Sequence, residues 1–288
     1  MVTFLNIVIG GLLLGGLYAL IAMGLSLQYG VARVLNIAHG EFIMLGALTT
    51  WMLYTKIDLN PLLALAIAGP AAFVLGTIIH RTLFKRIKDL AASPGIFESN
   101  AMLASFGLLF IIQSLALLTW GSETKGYSYL AFPVDIVGAV FGANRLVTLG
   151  FTLAIGLAFY LFLARTRTGK AIRAAAQDPE TAGLMGVNIN RVLALCFGLG
   201  AAMAAVAGAL ISMCYPVQAR MGMEYAIIAI IVVVLGGLGS IPGSFVGGFI
   251  LGVVGSIVTY IEPGLALVAY YVIFVFLLLV KPTGIMGK

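Results

Sequence analysis

The chain has 288 residues, of which 62% are hydrophobic and only 9% charged, and its mean hydropathy is +1.14. That much apolar surface excludes a soluble domain. Continuous, non-alternating apolar runs of roughly 20 residues point instead to an all-α, polytopic transmembrane helical bundle. The formal net charge of +6 does not call for nucleic acid, because the basic residues cluster between the apolar runs.

The first run, residues 4–29, is rich in glycine (Gly10, Gly11, Gly15, Gly16, Gly24), which lets helix backbones approach closely in a membrane. With no basic n-region and no small-residue cleavage site, it reads as a retained span rather than a signal peptide. Arg33, Asn36, His39 and Glu41 then interrupt before a short second run, residues 42–54. Asn36 is placed to cap a helix whose first turns carry His39 and Glu41. Two readings stand for these three polar residues: they line or gate the inner end of a pathway, or they cap and solvate a helix start at the interface.

Lys56, Asp58, Asn60 and Pro61 mark a turn, and residues 61–84 form a third span that ends in the basic cluster Arg81, Lys85, Arg86 and Lys88. Ser93, Pro94, Gly95 and Asn100 read as a connection to a fourth span over 101–120. The longest outer loop, 121–145, begins with aromatics suited to a membrane interface: Trp120, Tyr127, Tyr129 and Phe132. Residues 146–164 are the fifth span.

The longest polar segment, 165–191, follows. Pro179 ends a helix arriving from Lys170 and fits the first position of a new one, with Asp178 as its cap. Glu180 and Thr181 suit the first turn, Leu184 and Met185 form a small apolar patch, and Gly186 sits at the C′ position that ends the helix. So short a helix is held by packing against something else, such as a partner subunit, or it is an ordinary capped loop between spans.

A sixth span over 192–215 presents the small residues Gly198, Gly200, Ala201, Ala204, Ala205 and Gly208 on a packing face; Cys196 and Cys214 read as small core residues. Residues 225–235 are too short to span straight. They meet Gly236, Gly237, Gly239, Ser240 and Pro242, either a tight turn or a broken helix beside a pathway. A run to Tyr260, a turn at Glu262 and Pro263, and a last run over 265–280 complete about eight to nine membrane segments, some short or broken, in one domain, 1–288. The positive-inside rule sets Arg33, the 81–88 cluster, Arg165, Arg167, Lys170, Arg173, Arg191, Lys281 and Lys288 in the cytoplasm. The N-terminus is then outside and the C-terminus cytoplasmic.

Catalytic chemistry is not apparent. There is no phosphate-binding G-x-x-x-x-G-K-[ST], no H-E-x-x-H and no metal-ligand cluster, and no histidine follows Ser240 or Ser244 to act as a base. The apolar cores carry no ionisable groups for ion coupling, so energy for transport would come from elsewhere. A transport subunit, a stand-alone channel or facilitator for a small neutral solute such as urea or an amide, and a structural membrane protein remain as classes.

Several stretches together resemble one family: residues 18–22 with Leu35, Asn36, His39, Gly40 and Glu41; residues 169–178 through Met185-Gly-Val-Asn188 to the 201–208 small-residue face; and Val234-Leu-Gly-Gly-Leu-Gly-Ser240 with Pro242. The chain resembles, over nearly its whole length, the LivH-type permease subunit of branched-chain amino-acid ABC importers. The resemblance implies a bacterial cytoplasmic (inner) membrane permease that passes branched-chain or other hydrophobic amino acids. It also implies a second, LivM-like permease, two cytoplasmic ATPase subunits that use ATP and Mg, an external solute-binding protein and surrounding membrane lipid, with no nucleic acid and no cofactor bound by this chain. It makes the helix of Pro179 to Met185 a coupling helix that docks on the ATPase, with Gln177 standing where many relatives carry an acid. Relatives also carry urea, short amides and aromatic acids.

Overall fold

The computed structural model describes residues 2–136, 138–281 and 283–287; Lys288, assigned above to the basic side, lies outside them. Helix α1 (Val2–Ala32) is the central element. Its 31 residues extend about 46 Å at 1.5 Å per residue, well beyond a hydrocarbon core of roughly 30 Å. Antiparallel to it lies α11 (Ile241–Ile261), and the contact is backbone to backbone. A Cβ at Gly15 would stand 2.7 Å from the Cα of Phe249, which is why glycine occupies the crossing.

On the other flank of α1 stands α9 (Ile189–Ser212), against which α2 (His39–Ile57) and α3 (Pro61–Ile79) pack, while α10 (Met221–Gly236) fits between α2 and α11. The core is built from Leu20, Ile21, Met23, Leu25, Phe42, Ile43, Met44 and Leu210, all fully buried. At the periphery, α5 (Pro94–Trp120), α6 (Ala143–Arg165) and α12 (Ala266–Val280) leave Phe110, Leu118, Leu157, Phe276 and Leu279 exposed, as helices facing lipid do. Among the described residues seven helices are long and apolar enough to cross a membrane; α2 and the 16-residue α10 complete the set of segments.

Because successive spans alternate in direction, one face of the bundle gathers the end of α1, the start of α9 and the corner between α10 and α11. This basic face carries Arg33, Arg81, Lys85, Arg165 and Arg191, and Arg33 donates to the carbonyl of Ala176 across it at 3.4 Å. The opposite face carries a two-stranded antiparallel hairpin, β1 (Pro133–Ile136) and β2 (Ala139–Gly142). The sequence reading left 121–145 as an outer loop, and the hairpin is the regular structure within it. Ala139 and Phe141 bury against Leu13, and the Gly138 N–H donates to the Asp135 carboxylate at 2.7 Å.

Two boundaries also differ from the sequence reading. Helix α5 begins at Pro94 instead of 101, because Ser93 accepts from the Ile96 N–H and Pro94 supplies the first-turn geometry. And α3 does not stop at 84: it passes through a π turn, His80–Phe84, into α4 (Lys85–Leu90). In that turn the Lys85 N–H reaches back five residues to the His80 carbonyl.

Candidate functional site

The polar segment after α6 folds into two helices, α7 (Arg167–Gln177) and α8 (Pro179–Leu184). Helix α7 is amphipathic and seated on the bundle: Ile172 and Ala175 are buried, and the Arg173 guanidinium donates to the Ala164 carbonyl at 3.2 Å. Asp178 ends α7 and caps α8, its carboxylate accepting from the N–H groups of Glu180 and Thr181 at 3.0 and 3.1 Å and from the Thr181 hydroxyl. Those donors, the Thr181 hydroxyl first, hold the Asp178 carboxyl below the usual range. The cap is thus complete at neutral pH and is lost only as the pH falls through that depressed value.

The far end of α8 is equally defined. Gly186 has φ of +87°, its N–H reaches the Gly183 carbonyl, and the Val187 N–H reaches that of Ala182, closing a Schellman motif. Ala182 is the side chain α8 turns inward. Leu184 and Met185 point away from everything, 89% and 82% exposed. A fully capped, six-residue helix thus presents two bare apolar side chains on the basic face.

The second feature is internal. After α1 the chain reverses at Arg33, whose φ of +56° is left-handed, and residues 33–38 fold back into the bundle. Helix α2 therefore starts beside the middle of α1, not at its end. The His39 Nε2 lies 3.2 Å from the carbonyl of Ile21, so this nitrogen bears the proton, and Gly24 leaves the space that the ring fills. Glu41 is fully buried, its carboxylate set against Gly222 in the first turn of α10, where any Cβ would overlap it. Gln28 joins the two ends of the seam: it accepts from the Asn36 amide at 3.3 Å and donates to the Phe197 carbonyl at 3.2 Å.

Both sequence expectations for an interfacial helix start are thereby corrected. Ala38, not Asn36, is the N-cap of α2, and no side chain caps it. Asn36, His39 and Glu41 are 2%, 0% and 0% exposed, so solvent does not reach them and the spans do contain ionisable groups. Five of the buried polar side-chain atoms that have no partner among the described residues lie here: Ser26 Oγ, Asn36 Oδ1, His39 Nδ1 and both oxygens of Glu41. Each unmet buried polar group costs on the order of 1–3 kcal/mol, so this seam is the costliest polar cluster inside the bundle. Ser26 and Gln28 were not singled out from the sequence; two polar side chains in the last turns of a continuous apolar run are the signal that marks them.

Gly236, Gly237, Gly239 and Ser240 lie elsewhere. They form the corner between α10 and α11, with Gly237 and Gly239 at φ of +107° and +80° and Ser240 capping α11 through the Gly243 N–H. The C-terminal tail closes over this corner: the N–H groups of Ile285 and Met286 donate to the carbonyls of Leu235 and Gly236. Gly239 abuts Gly30, while Gln28, on the opposite side of α1, faces Phe197. Helix α1 thus separates the corner from the seam, and the structure does not bring these glycines together with Asn36, His39 and Glu41.

Comparison with known proteins adds sequence relatives and a fold. Residues 7–280 match a family model described as branched-chain amino acid transport system / permease component. The high-affinity branched-chain amino acid transport system permease protein LivH of Salmonella typhimurium is 34% identical over 99% of this chain and 96% of its own length. The corresponding permease protein BraD of Pseudomonas aeruginosa is 32% identical, again over 99% and 96%. Among solved structures, PsaBC from Streptococcus pneumoniae in complex with Fab covers 98% of this chain and 93% of its own, at a TM-score of 0.50 and 15% identity, a likeness of fold alone.

Proposed function

The chain belongs to the branched-chain amino acid transport system permease family, and from that premise we propose that it is the transmembrane permease subunit of an ATP-driven importer. Its solutes are branched-chain or other hydrophobic amino acids. The observation that carries the reading is α8: a doubly capped helix on the basic face whose two apolar side chains are almost wholly exposed among the described residues. Such a patch suits docking on a soluble subunit, here one of two cytoplasmic ATPases that bind ATP and Mg. This chain then lies in the inner membrane with its basic face in the cytoplasm, paired with a LivM-like permease and supplied by an external solute-binding protein. A stand-alone facilitator has no use for a capped, bare apolar helix, and membership of the permease family favours the subunit over it.

Pro179 lies at the root of α8 and also lines a cleft of about 420 Å³ with Phe84, Lys88 and Phe97. Displacement of α8 on nucleotide binding therefore bears on the ends of α4 and α5, and through the π turn on α9. The seam of Asn36, His39 and Glu41 lies at the junction of α1, α2, α9 and α10, where relative motion of the helices exposes it to a passing solute. The ammonium group of an amino acid suits the carboxylate of Glu41 in a way that a neutral amide does not.

Affinity purification of the tagged chain from its native membranes, with mass spectrometry of the companions and an ATPase assay, tests the assembly. Two ATPases and a second permease are expected. The chain alone, without ATPase activity and passing solute in liposomes without ATP, would return the facilitator. For the seam, His39→Ala and Glu41→Gln are each expected to slow uptake by about tenfold or more, since a hydrogen bond to a charged group is worth roughly 1.5–3 kcal/mol. Uptake kinetics unchanged in an intact complex would make both residues packing elements only.

A further inference from the structure

On the basic face, beside α8 but outside the seam, a cleft of about 340 Å³ opens where the π turn meets the first turn of α9. Its six lining residues are His80, Arg81, Lys85, Asn188, Asn190 and Arg191. All are polar, three are cations and none is a carboxylate. The only ion pair among the described residues joins Lys85 to Asp89 at 2.9 Å, an exposed i,i+4 contact that holds little energy in water. Arg81 and Arg191 have no acidic partner among those residues.

The π turn supplies one wall of this cleft. His80 and Phe84, four residues apart and so on one face, both pack against Phe197, with ring centroids 4.9 and 4.8 Å from its own. Arg81 and Lys85, one residue further on, are exposed or half-buried beside Asn190 and Arg191 in the first turn of α9. His80 is only 4% exposed, and its Nδ1 has no partner among the described residues. Asn188 spends its carbonyl oxygen on the Arg191 N–H at 3.0 Å, so its amide N–H groups remain as donors. The lining is therefore rich in donors and cations, a set matched to an oxyanion.

Directly along α3 from Arg81, one and two turns toward the bundle centre, Ile78, Val74 and Leu75 are exposed and apolar. A cationic cleft at a span end with an apolar ladder running from it into the membrane has the layout of a lipid: headgroup in the cleft, acyl chains on the ladder. A soluble acidic partner would meet the cations but leave the ladder bare. We propose that this cleft binds the phosphate of an anionic phospholipid headgroup, with acyl chains lying along Val74, Leu75 and Ile78. The proposal needs the cleft at a membrane boundary and does not depend on what the permease carries.

Native mass spectrometry of the full chain in mild detergent, titrated with phosphatidylglycerol, phosphatidylcholine or inorganic phosphate, tests it. Phosphatidylglycerol is expected to be retained in preference to phosphatidylcholine. Arg81→Gln with Arg191→Gln should weaken it by roughly fivefold for each arginine removed. Both arginines are exposed, so the variant keeps its fold. Arg167→Gln with Lys170→Gln, which removes as much charge elsewhere on the same face, should leave retention unchanged. Equal retention by the two double variants, retention of phosphatidylcholine as strong as of phosphatidylglycerol, or displacement of the lipid by inorganic phosphate at equal concentration would each overturn the site.

Discussion

Met185→Glu together with Leu184→Glu is expected to bring ATP-driven uptake close to background while the chain remains folded in the membrane at its normal level. In the isolated chain both side chains are almost wholly exposed, so the substitutions remove no internal packing. Both ends of α8 are fixed by groups the substitutions do not touch, the Asp178 carboxylate and the Schellman closure at Gly186. Docking on an ATPase changes the balance. Burying Leu or Met contributes roughly 1.5–3 kcal/mol each, and a carboxylate forced into the same apolar groove adds the cost of desolvating a charge. The loss in docking affinity is then on the order of a hundredfold or more.

Uptake of labelled leucine and ATP hydrolysis by the reconstituted importer, set beside the amount of chain in the membrane, give the readout. Normal uptake by the double variant would remove α8 from the coupling route. Asp178→Pro is a second probe of the same element, because it abolishes the side-chain acceptor for the Glu180 and Thr181 N–H groups without touching the apolar tip. It should likewise separate ATP hydrolysis from uptake.

How far the chain could be read in advance follows from where its determinants sit. Helix α8 was legible to within one residue, its end falling at Leu184 and not Met185, because its signals are local: Asp178 before Pro179, two apolar side chains, then Gly186. A like pairing of a capping residue with proline, Ser93 before Pro94, starts α5, yet in the sequence reading a proline and a glycine together looked like a connection. The depth of His39 and Glu41 was not legible. A polar cluster after an apolar run marks a membrane boundary in any local window, and only the fold-back after Arg33 carries these residues to the level of Ile21 and Gly24. What permits that burial lies far off in the chain, in Gly200 beside Gly24 and in Gly222 beside Glu41. The π turn at His80–Phe84 was not legible either, and Phe197, on which both side chains pack, lies far off in the chain on α9.

The same long-range glycines support a stringent prediction about packing. Gly208→Leu is expected to lower the chain's level in the membrane by roughly tenfold or more, because the change reaches the marginal stability of the whole bundle. A Cβ at Gly208 overlaps the carbonyl oxygen of Ile43 on α2, and three residues along the crossing a Cβ at Gly46 overlaps the carbonyl oxygen of Ala205 on α9. These are backbone atoms on both sides, so no rotamer change relieves the clash and α2 must move away from α9. Ordinary overpacking costs about 1–3 kcal/mol when side chains can yield, and here they cannot. Gly107→Leu, on the exposed face of α5 with nothing within 4 Å, should be tolerated and even gain helix propensity. Membrane abundance and thermal stability in detergent separate the two. Gly208→Ala adds the same Cβ without the rest of the leucine side chain, so it should lower abundance less than Gly208→Leu and, since α2 carries His39 and Glu41 into the bundle, slow uptake by the protein that remains. Wild-type abundance for Gly208→Leu would mean that α2 and α9 do not meet this closely, and the buried seam would lose its support.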